Sequence, residues 1–192
     1  MASEEPLHDP DLVEMVVESV RVHMLSSRHV VILKDSGRDR YLPIWIGPWE
    51  ASAIAMKLQG LSPDRPLTHD LFAAALEGLG VKVDRVVISA LAEETFHARL
   101  LLDQGGRTIE VDSRPSDALA LAVRAGGRIF AAESVLEQAA LGADGAEEEG
   151  AEGIPLESTG EQIVDPRLDV FREFVNSLDI DPGTGEGRTS GS

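Results

Sequence analysis

The sequence predicts an α+β domain: a mostly antiparallel sheet of hairpins packed with three to four helices, followed by an acidic linker and a C-terminal helix. Three observations carry that expectation. Alternating apolar and polar residues at 12–24, 29–34 and 41–46 have the period of half-buried strands, with turn residues between them. Helical spacing replaces that alternation at 49–58, 69–79 and 118–124. Neither GxGxxG nor GxxxxGK(S/T) occurs, which sets aside doubly wound folds with dinucleotide or P-loop chemistry.

Taken in order, residues 1–11 are polar, hold Pro6 and Pro10, and are expected to be flexible. Residues 12–24 read as a long strand and 29–34 as its hairpin partner. The turn Asp35-Ser36-Gly37-Arg38-Asp39 leads into a third strand at 41–46. Gly47-Pro48 stops that strand, with Gly47 placed as an N-cap, Pro48 at the first helical position and Glu50 where a negative charge suits the helix dipole. The helix 49–58 ends at Gly60, and Pro63 and Pro66 stiffen the loop 61–67, which carries Asp64 and Arg65. Thr68 is placed as the cap of a helix over 69–79, whose apolar Leu71, Phe72, Ala75, Leu76 and Leu79 share a face; Gly80 ends it. Strands at 81–91 and 95–102 turn around Ala92-Glu93-Glu94, and Gln104-Gly105-Gly106 turns the chain into 107–112. A short strand at 128–131 and a helix at 134–140 complete the domain assigned to residues 12–140. Residues 141–160, with the triplet Glu147-Glu148-Glu149, read as an acidic flexible linker, 161–180 as an amphipathic helix, and 181–192 as a disordered tail.

The stretch 109–124, IEVDSRPSDALALAVR, organises the rest. A strand passes through Ser113, Arg114, Pro115, Ser116 and Asp117 into a helix with no polar face between Ala118 and Val123, so that helix should be buried on most sides. Its start then gathers polar groups at the centre of the fold. Ser113 or Ser116 as a cap, Pro115 in the first turn and Asp117 on the helix dipole explain them structurally. Alternatively Asp112 and Asp117 hold a divalent cation or a water while Arg114 meets an anion.

Composition limits the chemistry. With no cysteine, the chain has no disulfide, thiolate metal site or cysteine nucleophile. No apolar run approaches the roughly 20 residues that span a bilayer, so the expectation is a cytoplasmic protein without a membrane partner. The formal charge is −17, yet residues 14–132 carry 15 acidic and 14 basic groups while 141–192 carry 13 acidic and 3 basic. The acid is concentrated in the tail, and a near-neutral body leaves polyanion binding open.

Two further stretches complete the candidate site. Trp45 and Trp49, both tryptophans of the chain, bracket Gly47-Pro48 and either pack a sheet–helix corner or offer a stacking surface for a base. Arg65-Pro66-Leu67-Thr68-His69-Asp70 brings a cation, a potential base and a carboxylate to another helix start, Arg65 being within reach of Asp112 or Asp117. Glu50, Asp70, Asp112 and Asp117 each lie in or just before a helix's first turn. Should the helix starts converge, these carboxylates would hold Mg²⁺ or Mn²⁺, with His69 as base and Arg65 and Arg114 on phosphate. His8, His23, His29 and His97 lack a nearby partner and are read as incidental.

Four segments, Tyr41–Gly47 with Glu50-Ala51, Arg65–Leu71, Thr95–Ala98 and Val111–Ala118, resemble the bifunctional nuclease (DNase/RNase) domain family. The resemblance covers residues 12–140 and implies an α+β fold, association into homo-oligomers and nuclease activity on DNA or RNA. Joined to the residue-level reading above, the expected function is metal-assisted phosphodiester hydrolysis, that reading supplying His69, Asp70, Asp112 and Asp117 as catalytic groups. Substrate is then assigned to Arg65, Arg114, Trp45 and Trp49, and metal to Glu50, Asp70, Asp112 and Asp117. The alternative is a non-catalytic oligomeric regulator or binding module whose charged helix starts are structural or interface groups.

Overall fold

Alternation becomes sheet wherever the sequence shows it. The computed structural model describes residues 12–23, 28–143 and 153–155. It contains strands β1 (Leu12–His23), β2 (Arg28–Asp35) and β3 (Tyr41–Ile46), then helices α1 (Pro48–Leu58) and α2 (Thr68–Gly78). Strands β4 (Lys82–Ala92), β5 (Thr95–Gln104) and β6 (Arg107–Ser113) follow, then α3 (Pro115–Ala125), β7 (Arg128–Ala132), α4 (Glu133–Ala139) and the short β8 (Gly153–Pro155). The fold is α+β. One mixed sheet runs β3-β2-β1-β7-β4-β5-β6, with β8 on β1, and every pairing is antiparallel except β4 with β7.

The order has a consequence for shape. β3 and β6 are the two edges, yet the end of β3 and the start of β5, next to β6, line a common cleft. The sheet therefore curls, as accumulated strand twist allows. Each edge strand feeds a helix, α1 from β3 and α3 from β6. α3 is the most buried helix: Ala118, Leu119 and Ala120 are fully enclosed and Leu121 and Ala122 nearly so, against both sheet and neighbouring helices. That answers the unbroken apolar run. Truncating Leu119 to Ala would cost about 2–5 kcal/mol by lost contact and cavity.

α2 departs from the amphipathic expectation. Its Leu76 is buried, but Leu71, Phe72 and Leu79 are exposed, so the apolar face packs only along one edge. Thr68 is its first residue, not its cap; Leu67 is the N-cap, and Asp70 accepts the Leu67 N–H at 3.0 Å in place of a Thr hydroxyl. Elsewhere Arg40 clips the β2–β3 turn to α4, pairing with Asp35 at 2.9 Å and Glu133 at 2.7 Å. The hairpin turn Glu93-Glu94 is left-handed at both residues, a conformation usually left to Asn or Gly. Residues 1–11, the helix expected at 161–180 and the tail at 181–192 lie outside the described residues, as does most of 141–160. Within that last stretch Leu141 bridges Tyr41, and β8 pairs with β1.

Candidate functional site

Two opposite edges of the sheet hand over to helices by the same local device. Gly47-Pro48 opens α1 and Arg114-Pro115 opens α3, proline fitting the first helical position because no N–H is needed there. Each helix carries an acid two residues later, Glu50 and Asp117, where carboxylates complement the positive helix end. Arg114 joins the two. Its Nε donates to Asp117 Oδ2 at 2.6 Å, and its Nη2 to Asp117 Oδ1 at 3.0 Å and Glu50 Oε1 at 2.8 Å. The guanidinium's Nη1 makes no hydrogen bond among the described residues. Gly47 is required in this arrangement because a Cβ there would fall on Glu50 Oε2.

His69, in the first turn of α2, completes the cluster. Its Nε2 lies 3.2 Å from Asp117 Oδ1. Burial pushes the Asp117 carboxyl up, but hydrogen bonds from Arg114 and His69 outweigh it and hold the group below the usual carboxylate range. Asp117 is thus ionised at neutral pH and only accepts, so the Nε2 that faces it carries a proton. Asp117 and Glu50 in turn push the Arg114 guanidinium upward, keeping it charged. The cluster opens on a cleft of about 770 Å³ lined by Trp49, Leu67 and Thr68 as well as the four charged or titratable groups. Trp49 is 83% exposed on its wall.

The structure brings together four of the expected groups, Glu50, His69, Arg114 and Asp117. Asp70 turns away: Arg124, its side chain 5% exposed, donates to Asp70 Oδ1 at 2.6 Å and also to the carbonyls of Ala120 and Ala53. Burial raises the Asp70 carboxyl, and Arg124 together with the Leu67 N–H lowers it by more. Asp112 stands on exposed β6 opposite Arg99, outside the cluster. Arg65 is exposed and makes no ion pair or hydrogen bond among the described residues; Arg114, not Arg65, reaches Asp117. Trp45 belongs to a different cleft from Trp49.

The four carboxylates therefore do not form a common cage. Among the described residues no three His, Asp or Glu groups lie together as metal donors, and the Glu50 and Asp117 oxygens already face a guanidinium. This donor set does not fit a resident Mg²⁺ or Mn²⁺. Sequence reasoning missed Arg124, whose role shows only in the packing of α3 on α1 and α2. It also missed Arg28 and His29, which border the Trp45 cleft.

The description "Bifunctional nuclease domain" attaches to the family model that matches residues 31–144. Two proteins from strains of Mycobacterium tuberculosis, both described as uncharacterized, are each 40% identical to this chain over 171 residues, spanning 88% of it and 96% of their own length.

Proposed function

Since the chain belongs to the bifunctional nuclease domain family, we propose that it hydrolyses phosphodiester bonds in DNA or RNA, with His69 as base and Arg114 as the phosphate-holding group. The observation that supports this most directly is the His69–Asp117–Arg114 triad on an open cleft. Asp117 fixes the imidazole through Nε2–H; in its neutral form the ring takes a proton at Nδ1 from the attacking water and returns it to the leaving oxygen as the P–O bond breaks. Two carboxylates hold the Arg114 guanidinium in place while its Nη1 stays available, so charge developing on the phosphorus oxygens meets a pre-oriented donor. Trp49 offers a flat apolar wall beside the scissile position, suited to stacking a base.

The test is cleavage of labelled single-stranded DNA and RNA by the purified chain. His69→Ala and Asp117→Asn should each lower the rate by about a hundredfold or more with the fold intact. Undiminished cleavage by both variants would remove the assignment.

A second reading is favoured by α2. Leu71 and Leu79 are 63% and 72% exposed on a helix whose sequence places them on an apolar face, and such a patch is typical of a subunit interface. In that reading the chain is a homo-oligomer and α2 seats against another copy. The two readings are compatible, because the His69 end of α2 and its Leu79 end lie about three turns apart.

A further inference from the structure

A second cleft, of about 600 Å³, lies across Arg114 from the first. Its floor is the start of α3, where Ser116 is only 7% exposed, borders the cleft and makes no hydrogen bond among the described residues. The Ser116 hydroxyl is not itself enclosed, so the oxygen is open to the cleft that the residue borders. Here it stands at the second position of an eleven-residue helix, beside backbone N–H groups that have no intrahelical acceptor. The start of α1, Gly47-Pro48, borders the same space, so two positive helix ends face it.

Cations and a flat apolar surface complete the cleft. Arg28 lies 4.2 Å from the Trp45 ring centroid and borders the opening together with Arg114. Phe96, Ile44 and Ile46 supply apolar wall. The left-handed turn residue Glu94 places a carboxylate at the rim, a suitable acceptor for a sugar hydroxyl. The volume falls within the range of small-ligand sites.

We propose that this cleft binds a nucleoside monophosphate unit, its phosphate on Ser116, Arg114 and the α3 N-terminus, its base against the Trp45–Arg28 stack. The site goes beyond the cleavage reading: it holds a nucleotide whether or not the neighbouring triad cuts one. The unit can come from a free nucleotide or from the phosphorylated end of a strand, which present the same groups.

The experiment uses the full chain carrying Trp49→Phe, so that Trp45 is the sole indole reporter. Adenosine monophosphate, adenosine and inorganic phosphate are titrated separately, following Trp45 emission and heat of binding. Adenosine monophosphate is expected to perturb Trp45 and to bind at least about tenfold more tightly than adenosine or phosphate. Ser116→Ala and Arg28→Ala should each weaken it by about tenfold, with circular dichroism unchanged. A 5′-phosphorylated trinucleotide that displaces the mononucleotide assigns the site to strand ends; one that does not assigns it to the free nucleotide. No response of Trp45 or of heat to millimolar adenosine monophosphate overturns the proposal, as does wild-type affinity in both variants. His69→Ala separates the two ideas, since it should abolish cleavage and leave nucleotide binding intact.

Discussion

Arg124 and Arg114 make chemically identical contacts, each donating Nε to an aspartate at 2.6 Å, yet their surroundings give them opposite work. Arg124 is 5% exposed and also donates from Nη1 and Nη2 to two backbone carbonyls, so with its Asp70 pair it ties α3 to α1 and α2. Arg114 is 67% exposed, and its carboxylates position it instead of enclosing it. A guanidinium enclosed by the protein is out of a ligand's reach. A carboxylate-braced one facing solvent retains a donor and little of its stabilising value, since solvent screens exposed pairs.

The largest expected effect falls on the buried side. Arg124→Ala leaves Asp70 and two carbonyls without their partner and should lower unfolding free energy by about 3–5 kcal/mol, read from urea denaturation. Arg114→Ala should invert that pattern: cleavage falls by about a hundredfold while stability changes by less than about 1 kcal/mol. Equal stability losses in the two variants would break the distinction.

Acid sharpens it next. Asp70 and Asp117 both have folded-state affinities for protons below the ordinary carboxylate value, so each contributes stability that is complete above the unfolded value near pH 4. That contribution is lost as pH falls through the lower folded value. The acid limb of a stability–pH curve should flatten more in Asp70→Asn than in Asp117→Asn, because the Asp70 partner is the buried one. Smaller still is Gly47→Ala, which should displace Glu50 from Arg114 and cost under about 1 kcal/mol in thermal unfolding. On α2, Leu71→Lys with Leu79→Lys should leave monomer stability nearly unchanged and shift the sedimentation coefficient downward if that face seats another copy.

Much of this was legible in the residues. Alternation and turn chemistry place the first seven strands within a residue or two, β8 falling in a stretch read as linker, and the polar-free run after Asp117 identifies the helix that proves most enclosed. Glu50, His69, Arg114 and Asp117 were all marked by their place at helix starts. Which of them meet was not legible, because convergence depends on strand order: β3 and β6 are sequence-distant and occupy opposite edges, and only the curl of the sheet brings α1 and α3 into reach. Asp70 and Asp117 look alike as first-turn aspartates, and only the partner separates them, one facing Arg124 and the other Arg114. Ser116 was visible as a capping hydroxyl. That it makes no hydrogen bond among the described residues and borders a cleft was not, since both depend on the tertiary fold.

The joining of both rims through Arg114 makes the constellation a measure of how complete the polypeptide is. A fragment ending before residue 114 retains Glu50 and His69 but lacks Arg114 and Asp117, the pair that links them, and one beginning after residue 70 has the reverse deficiency. Two such halves, each silent alone, should regain a working centre only on reassociating, so recovered turnover in a split version would report on closure of the whole architecture.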